Sequence, residues 1–563
     1  MQKLIYKRFC VEEFDEQNEL KRLDIKYDAN FNFAYDVVDE MAKYNGDKEA
    51  LVWIGKDGRE RIFSFEDLSQ ISNQAANVFL KHGITRGDRV MLILKRHYQY
   101  WAALLGLHKI GAVAIPSTHM LTADDIEYRI KDADVKLIVC TPDGDIPDNV
   151  LKATSDHPKV KRMIVFAGRE GFISFDTEVD SAKANLPRMA VKHTDPMLLY
   201  YTSGTTGQPK GVSHNFFYPL GHIITAGYWQ KVVEGGRHLT LADTGWAKAA
   251  WGKIYGQWLC GSAVMVYDYD HFYAHDILGI IEKYKVTTFC APPTIYRYLV
   301  RAKMEKYDLS SLVHVTTAGE AMSRDTFDAF YKATGLSIEA GYGQTETTLI
   351  LCNPAKDPGK IGSMGVPTPF YDVDLINDEG EELKPGDEGE IVIYPRGGAF
   401  PESDPDAAKK QVGIFTAYEG NAEQYEKVWE NGIYHTGDLA YRDEDGYYWF
   451  VGRKDDVIKS SGYRIGPSEV EDILQKHPAV LECAVTGIPS KKRGYLIKAT
   501  IVLSKGYEAS DELKKEIQDY VIGNAAAYKC PRVIEFADEL PKTANGKIRR
   551  DVIRKRDRGT ILP

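Results

Sequence analysis

Residues 200–211 read YYTSGTTGQPKG, a loop of small residues that ends in a lysine and follows the apolar run at 197–199. Its glycines allow sharp turns that bring backbone N–H groups close to a ligand, and Lys210 adds positive charge. An exposed Ser/Thr/Gly loop is the plainer interpretation of this composition. The length of the stretch and the order of its residues favour a phosphate-binding loop over an exposed one.

The same stretch argues against a P-loop kinase or ATPase. A Walker A loop places its lysine directly after its second glycine, at the start of a helix. Here Gln208 and Pro209 separate Gly207 from Lys210, and the proline restricts the residue before it to extended conformations. The chemistry must therefore be sought elsewhere in the chain.

Strand-like and helix-like segments alternate through the first four hundred residues. DRVMLIL at 88–94 has the pattern of a strand, YWAALLGLHKIG at 100–111 that of a helix, and VKLIVC at 135–140 that of a strand again. Such alternation is typical of βαβ units and buried parallel sheets. We predict an α/β fold with a large N-terminal domain at 1–454, which includes a β-rich subdomain from about residue 359. A small, mobile α+β C-terminal domain is predicted at 455–563.

Composition narrows the class of protein. The 563 residues are 44% hydrophobic and 27% charged, which is typical of globular enzymes, and the net charge of -10 does not favour nucleic acid as a partner. Seven cysteines lack the spacing of a zinc site, and the sequence contains neither a signal-peptide pattern nor a transmembrane segment. We therefore expect a cytoplasmic enzyme, monomeric or homodimeric.

Several motifs taken together resemble one known family. YTSGTTGQPKG is similar to the phosphate loop of the adenylate-forming superfamily, which contains acyl-CoA synthetases and peptide-synthetase adenylation domains. The family's other motifs follow in order, namely GYGQTE at 341–346, YHTGDLA at 434–440, VGRKDDVIKSSGYRIGPSEVE at 451–471 and PKTANGKIRR at 541–550. The resemblance extends from about residue 30 to the C-terminus.

The resemblance implies a nucleotide site. Tyr342 matches the residue that stacks on adenine, Asp438 and Arg453 match the pair on the ribose, and Glu346 matches the ligand of Mg²⁺, a cation that prefers carboxylate oxygen. Taken alone, Asp438 is an ordinary turn acid, and residues 345 and 346 fit a helix cap. The residues expected to bind ATP or AMP are Thr202, Ser203, Gly204, Thr205, Thr206, Gly207, Lys210, Gly319, Glu320, Ala321, Gly341, Tyr342, Gly343, Gln344, Thr345, Asp438, Arg453 and Arg464.

Lys547 is the expected catalytic residue. A carboxylate attacks the α-phosphate of ATP, so two anions meet, and a positioned ammonium relieves their repulsion. The Lys/Arg-rich C-terminus is also consistent with a solvated surface. The preceding PKTANG turn favours a defined loop, as in the family's catalytic lysine.

The second step of the implied reaction needs coenzyme A. A thiol attacks the acyl group once AMP is available as a leaving group, and in the family the small domain rotates between the two steps. Asp455 matches the hinge position, and Ser461 and Gly462 match the loop beside the thiol. A plain hairpin acid is the alternative for Asp455.

The acyl pocket decides which acid is used. Acetyl-CoA synthetases carry a tryptophan at the position of Gly343, and the glycine is expected to open apolar volume. Trp246, Trp251 and Tyr255 are candidates for lining the pocket, with core packing as the alternative. The stretches DTGWAKAAWGKIYGQW, TFCAPPTIYR and GYGQTETT resemble those of medium-chain acyl-CoA synthetases.

We therefore predict an AMP-forming acyl-CoA synthetase that uses ATP, Mg²⁺, CoA and a short, branched or medium-chain acid. An aryl-CoA ligase of the benzoate type and an adenylation enzyme that loads a carrier protein remain as alternatives. A non-catalytic AMP-binding protein is expected to lose Lys547, Glu346 or Asp438, and all three are present.

Overall fold

The computed structural model describes residues 4–26, 29–166, 168–202, 209–320, 322–353, 359–396, 411–460, 463–491, 494–542 and 548–557, without the side chains of residues 459, 463 and 464. The chain divides into two compact units. The first consists of Met1–Thr202, Lys210–Val373 and Tyr394–Tyr434, and the second of Ser203–Pro209, Asp374–Ile393 and His435–Pro563. The predicted division into domains at 1–454 and 455–563 stays a prediction.

The strands, in chain order, are β1 (Cys10–Phe14), β2 (Leu20–Ile25), β3 (Glu49–Ile54), β4 (Glu60–Ser64), β5 (Arg89–Ile93), β6 (Val113–Pro116), β7 (Val135–Cys140), β8 (Lys161–Ile164), β9 (Ile173–Ser174), β10 (Pro196–Thr202), β11 (Lys210–Asn215), β12 (Arg237–Thr240), β13 (Ala263–Tyr267), β14 (Thr288–Cys290), β15 (His314–Ala318), β16 (Ile338–Tyr342), β17 (Leu351–Cys352), β18 (Val366–Pro367), β19 (Asp372–Ile376), β20 (Glu388–Tyr394), β21 (Ala417–Tyr418), β22 (Tyr434–Arg442), β23 (Tyr448–Arg453), β24 (Ile458–Ser460), β25 (Tyr463–Ile465), β26 (Val480–Ser490), β27 (Gly494–Leu503) and β28 (Val533–Phe536).

The α-helices are α1 (Glu40–Asn45), α2 (Phe65–Lys81), α3 (Gln99–Ile110), α4 (Ala123–Ala133), α5 (Ile146–Ala153), α6 (Phe175–Ser181), α7 (Tyr218–Ile223), α8 (Ala247–Gly252), α9 (Tyr255–Leu259), α10 (Ala274–Tyr284), α11 (Pro293–Leu299), α12 (Arg324–Thr334), α13 (Ala422–Lys427), α14 (Pro467–Leu474), α15 (Asp511–Asn524) and α16 (Arg550–Arg556). Short π-helical or 3-10 turns occupy Ile5–Arg8, Ala34–Asp39, Ile224–Trp229, Met304–Lys306, Glu430–Gly432 and Ala527–Lys529.

The first unit is built on two largely parallel sheets. One has the strand order β21-β11-β10-β6-β5-β7-β8-β9, and its strands from β10 to β9 are parallel. The other has the order β18-β17-β16-β15-β14-β12-β13-β3-β4, parallel from β16 to β3. Parallel strands need crossover connections, and the intervening helices supply them.

Helix α3 shows how tightly the first unit is packed. All twelve of its residues are buried, which is typical of a helix that is apolar on every side. Gly106 lets α3 approach α2, because a Cβ there would come within 2.9 Å of the Ala76 backbone nitrogen. The buried Lys109 ammonium is neutralised by Asp39 at 2.7 Å.

The second unit contains smaller sheets. The order β19-β20-β22-β23 forms one, in a region predicted to be rich in strands. A hairpin turn at residues 377–381 brings Ile376 opposite Glu382. The order β25-β24-β27-β26, with β28 parallel to β27, forms the other. Helices α14 and α15 pack their apolar faces on that sheet through Val470 and Ile517.

The fold agrees with the predicted α/β class. The strand predicted at 135–140 is β7, and the helix predicted at 100–111 is α3, displaced by one residue. All seven cysteines are buried and unpaired. Among the described residues, no helix combines the length and apolar character needed to cross a membrane.

Candidate functional site

The phosphate-loop candidate connects two antiparallel strands. β10 ends at Thr202 and β11 begins at Lys210, and these two residues are paired across the ladder. The residue after the loop therefore starts a strand, whereas a Walker A lysine starts a helix. The predicted contacts of Ser203, Gly204, Thr205, Thr206 and Gly207 lie outside the described residues.

Lys210 lies close to Tyr418 and Glu346 in the first unit. Its ammonium lies 5.3 Å from the centre of the Tyr418 ring, and the Tyr418 hydroxyl donates a hydrogen bond of 2.9 Å to Oε1 of Glu346. β21 carries Tyr418 alongside β11, with Val212 opposite Tyr418. The sheet thus brings the lysine that closes the phosphate loop close to the expected metal ligand.

The loop after β16 carries the GYGQTE motif. His214 Nε2 lies 2.8 Å from the carbonyl oxygen of Thr345, and the Tyr434 hydroxyl donates to the Gln344 side chain at 2.8 Å. The backbone nitrogen of Phe415 donates to the carbonyl oxygen of Glu346. These contacts fix the backbone of the loop, while the Glu346 side chain is half-buried and engages Tyr418 through one oxygen.

The end of the adjacent strand carries part of the segment AGEAM, residues 318–322, which contains three of the residues predicted to bind the nucleotide. β15 and β16 run parallel, and Ala318 is paired with Gly341, so Gly319 follows β15 at the same sheet edge as Tyr342. Lys248 donates to the carbonyl oxygen of Ala318 at 2.8 Å. Glu320 is exposed and lies 3.8 Å from Arg297, and Ala321 lies outside the described residues.

The acyl-pocket candidates meet at Gly343. A Cβ at that position would lie 2.5 Å from the Trp251 ring and 2.5 Å from the Thr348 carbonyl oxygen. Trp251 is buried and packs edge-on against Trp229, while Trp246 is half-buried at the start of α8. The Trp251 ring thus fills the space next to Gly343. The apolar volume predicted there for the acyl chain depends on the position of that ring.

Tyr255 is part of the core. It is fully buried, its hydroxyl lies 2.9 Å from His108 Nε2, and its ring packs edge-on against Phe33. Of the aromatic residues predicted to line the pocket, Tyr255 thus has the surroundings of a packing residue. The alternative stated for this aromatic stretch, core packing, applies to Tyr255.

A buried lysine follows Trp251 by two residues. Lys253 has 1% of its surface exposed, and its ammonium has neither a hydrogen bond nor an ion pair with any described residue. Burial, with the charge of Arg96 adding to it, lowers the pKa of Lys253 to about 7. The sequence singled out the stretch around this residue without indicating that its lysine is buried.

In the second unit, Asp438 and Arg453 face each other on neighbouring strands. They are opposite each other in the β22–β23 pair, and the Arg453 guanidinium lies 3.0 Å from Oδ1 of Asp438. The Asp438 side chain is 7% exposed and that of Arg453 is 43% exposed. The pair combines a fixed carboxylate with a guanidinium that reaches solvent, which suits a ligand with hydroxyl and phosphate groups.

The turn before Asp438 is held by an acid that the sequence did not indicate. Gly437 has a φ of 70°, and its N–H donates to Glu390 at 2.9 Å. Lys454 lies 2.9 Å from the same carboxylate. Burial raises the pKa of Glu390, but hydrogen bonds from His435 and Lys454 outweigh that effect and lower the pKa to about 2. Glu390 therefore stays ionised and fixes the YHTGDLA turn.

The hinge candidate Asp455 is exposed and lies in the turn between β23 and β24. Backbone bonds from Asp456 and Val457 to the Arg453 carbonyl oxygen close this turn. The neighbouring CoA candidates Ser461 and Gly462, and the side chain of Arg464, lie outside the described residues.

Lys547 also lies outside the described residues, but the ends of its loop are described. Lys542 and Ile548 form an isolated bridge, and the Arg549 nitrogen donates to the Pro541 carbonyl oxygen at 2.8 Å. Lys542 is paired with Glu482 at 2.7 Å. The described residues on either side of 543–547 therefore lie next to each other.

Comparison with known proteins shows which family the chain belongs to. The family model described as AMP-binding enzyme matches residues 38–398, and the model of the AMP-binding enzyme C-terminal domain matches residues 469–547. The chain belongs to the AMP-binding enzyme family. The order of motifs that suggested the adenylate-forming superfamily is thus confirmed.

Curated relatives of this AMP-binding enzyme include acyl-coenzyme A synthetase ACSM3 of Mus musculus. The two are 38% identical over 98% of this chain and 95% of the mouse protein. Acyl-coenzyme A synthetase ACSM5 of Homo sapiens is 38% identical over 94% of this chain and 91% of its own. The predicted class, an acyl-CoA synthetase acting as an acid–thiol ligase, is confirmed.

Solved structures confirm the fold of this AMP-binding enzyme. The anthranilate CoA ligase AuaEII in complex with anthranoyl-AMP has a TM-score of 0.81 at 29% identity, over 94% of this chain and 98% of its own. An acyl-CoA synthetase of Brucella canis has a TM-score of 0.69 at 30% identity, over 94% and 95% of the two chains.

One prediction is wrong by these comparisons. The mouse and human relatives are both named as mitochondrial, which contradicts the expectation of a cytoplasmic enzyme. The features that suggested the cytoplasm were unpaired cysteines and the lack of an apolar segment. Neither feature distinguishes one reducing compartment from another.

Proposed function

We propose that this AMP-binding enzyme activates a short, branched or medium-chain carboxylic acid with ATP, forms an acyl-AMP and passes the acyl group to CoA. The arrangement of Glu346 supports this proposal most directly. Tyr418 fixes one oxygen of this half-buried carboxylate, and the other oxygen has no partner among the described residues. A fixed carboxylate with an available oxygen, close to the lysine that follows a loop of phosphate-binding composition, suits a nucleotide whose phosphates carry a cation.

In the first step, a carboxylate oxygen of the acid bonds to the α-phosphorus of ATP, and the bond from that phosphorus to the bridging oxygen breaks. Pyrophosphate leaves and acyl-AMP remains. Lys210 and the 203–207 loop are assigned to the β- and γ-phosphates, Tyr342 to adenine, and Lys547 to the charge that concentrates where the two anions meet.

Mg²⁺ fits the residues that are described. Oxygen ligands from carboxylates are those that Mg²⁺ prefers, and the available oxygen of Glu346 can provide one while Tyr418 fixes its orientation. When bound, the ion supplies positive charge to the phosphate oxygens. The Thr345 hydroxyl is assigned to the same phosphates.

The ribose is assigned to the pair in the second unit. Asp438 accepts hydrogen bonds and Arg453 donates them, and vicinal hydroxyls do both. Glu390 keeps the Gly437 turn closed, so the Asp438 carboxylate remains in place before a ligand arrives. Preorganisation of this kind lowers the cost of ordering on binding.

In the second step, the sulfur of CoA, having lost its proton, bonds to the acyl carbon, and the bond from that carbon to the AMP oxygen breaks. AMP and the thioester are the products. Asp455 is assigned to the hinge, and Ser461 and Gly462 to the loop beside the thiol. The exposed turn at Asp455 is consistent with a segment that absorbs a change in backbone angles.

The proposal is tested by measuring pyrophosphate release and thioester formation with a panel of acids, with and without CoA. We expect release to depend on a medium-chain or branched acid and thioester to appear only with CoA. Release without any thioester would contradict the CoA-ligase assignment. It would favour an enzyme that loads a carrier protein.

A second candidate is an aryl-CoA ligase. The similarity to a structure titled as an anthranilate CoA ligase, at 29% identity, favours including aromatic acids in the panel. Trp251 and Trp229 provide flat apolar surfaces at the acyl-pocket candidates. If the enzyme has a higher kcat/KM for benzoate or anthranilate than for every aliphatic acid, the aryl-CoA ligase replaces the first proposal.

A further inference from the structure

Four buried side chains in the part of the first unit that is described lack a hydrogen bond of good geometry at their outer polar atom. These atoms, Oη of Tyr100, Tyr200 and Tyr218 and Nε2 of His222, are shielded from solvent. The Tyr100 hydroxyl interacts with that of Tyr200, and the Tyr218 hydroxyl with Trp251, without reaching that geometry. We call these four side chains the tyrosine chamber. Buried polar atoms are nearly always satisfied in folded proteins, so an unpaired group of this size indicates that something else binds there.

The four side chains come from separate elements. Tyr100 lies on the buried helix α3, Tyr200 lies on β10 two residues before Thr202, and Tyr218 and His222 lie one turn apart on α7. The hydroxyls are close enough to influence one another. After burial, the Tyr200 hydroxyl is the largest influence that raises the pKa of Tyr100 and of Tyr218.

The tyrosine chamber adjoins the loop after β16, which carries the GYGQTE motif. The His214 ring centre is 3.9 Å from that of Tyr218, and His214 Nε2 lies 2.8 Å from the carbonyl oxygen of Thr345. The Trp251 ring, which packs on Gly343, has its centre 6.4 Å from that of His222. The chamber is therefore next to the side chains at which the acyl group is expected.

The chemistry of the tyrosine chamber selects among possible ligands. Burial raises the pKa of Tyr200 and lowers that of His222, so these groups are neutral near pH 7. A carboxylate or ammonium placed among neutral, buried groups would lose its hydration without gaining an opposite charge. An uncharged oxygen, as in a hydroxyl or ketone, can form hydrogen bonds with such groups without the free-energy cost of burying a charge.

We infer that the acid used by this enzyme carries an uncharged oxygen function, a hydroxyl or a keto group, near the far end of its acyl chain, and that Tyr100, Tyr200, Tyr218 and His222 bind it. The inference rests on the proposed acyl-CoA synthetase function. A purely aliphatic acid leaves the same groups unpaired, and a site with unpaired polar groups discriminates against such a ligand.

The experiment compares pairs of acids of equal length, such as hexanoate with 5-hydroxyhexanoate and 5-oxohexanoate, in the complete two-step reaction. We expect the wild-type enzyme to show a kcat/KM about tenfold or more higher for the oxygenated member of a pair. In Tyr218→Phe and Tyr200→Phe, which keep the ring and remove the hydroxyl, we expect the ratio of oxygenated to aliphatic kcat/KM to fall about tenfold.

Tyr296→Phe is the matched control. Tyr296 is also fully buried, but its hydroxyl donates to the Thr316 carbonyl oxygen at 3.0 Å, away from the tyrosine chamber. We expect this variant to keep the wild-type ratio. The wild-type comparison needs no variant, so it tests the inference even if a phenylalanine variant does not fold.

The assay separates failure of the inference from failure of the proposed function. Thioester formation with equal kcat/KM for the members of each pair, and no change in the phenylalanine variants, would overturn the inference and indicate that the chamber holds buried water. No thioester with any acid would overturn the proposed function and the inference with it.

Discussion

The Trp251 ring lies so close to Gly343 that a Cβ at position 343 would be 2.5 Å from it. The glycine is therefore required by the tryptophan that packs on it. Position 343 carries no side chain, and the space beside it is filled by a residue 92 positions earlier in the sequence.

Trp251→Ala should extend the range of acids. Removing the indole leaves space beside Gly343, and each added methylene of substrate that fills it gains about 0.8 kcal/mol, or roughly fourfold in affinity. We expect the chain length with the highest kcat/KM to increase in a series of straight-chain acids. Trp246→Ala, at a half-buried position, is the comparison variant, and an unchanged optimum in Trp251→Ala would contradict the assignment.

Gly343→Trp should displace the Trp251 ring or fail to fold. If the variant folds, as judged by an unchanged circular dichroism spectrum, we expect preference to shift towards acetate, because two indoles then occupy the site. Activity on longer acids equal to that of the wild type would show that position 343 does not border the acyl chain.

Glu346→Gln should impair pyrophosphate release about a hundredfold or more, the range typical of losing a preorganised charged group. The amide keeps the shape of the side chain and loses its charge, so excess Mg²⁺ should restore part of the rate. Tyr418→Phe removes the hydrogen bond that orients the carboxylate and should cost about tenfold. Equal effects of the two variants would argue against metal binding by Glu346.

Asp438→Asn should raise the KM for ATP by about tenfold or more, because hydrogen bonds to a charged group contribute about 1.5 to 3 kcal/mol. Steady-state kinetics with saturating acid and CoA measure the effect. Asp445→Asn, in the turn of the same hairpin, provides the control. A loss of thermal stability equal in size to the loss of ATP affinity would indicate a structural role for Asp438 instead.

Lys547→Ala should lose acyl-AMP formation while still converting supplied acyl-AMP and CoA to thioester, because the assigned charge acts only in the first step. Lys542→Ala is the matched control, since Lys542 lies at the end of the same loop and pairs with Glu482. Equal loss of both half-reactions in Lys547→Ala would count against the assigned role.

Lys253→Met should be more stable than the wild type near pH 7, and the difference should shrink as pH rises. Burial lowers the pKa of Lys253 to about 7 from an ordinary 10.5, so between these values the unfolded chain binds a proton that the folded chain does not. The free energy of unfolding of the wild type then rises by about 1.4 kcal/mol per pH unit between these two values. Urea unfolding at pH 7 and pH 9 measures the difference, and parallel changes in both proteins would contradict it.

Local patterns predicted the elements of this fold well. β7 matches its predicted bounds because a short apolar run between helices has few other interpretations. The pairing of Asp438 with Arg453 follows from two neighbouring motifs on one hairpin. Contacts between distant segments could not be read from the sequence. Tyr418 and Glu346 meet only because β21 joins the edge of a sheet beside β11.

The buried groups were harder still to predict. Lys253 and the tyrosines of the chamber have ordinary neighbours in the sequence, and their burial results from the packing of α3, α7 and α8 around them. A single sequence shows periodicity and motif spacing. It does not show which polar side chains are left without a hydrogen-bond partner when the elements pack together.

Strand β11 has a consequence for how this enzyme diverges. Lys210 and His214 are four residues apart and therefore project from the same face of the strand, one towards the Tyr418 ring and the other to the Thr345 carbonyl oxygen. The rise of a strand sets their separation at about 13 Å. The contact with Tyr418 and the contact with the loop after β16 are thus spaced by the backbone of one strand. Substitutions of side chains elsewhere in the chain leave that spacing unchanged.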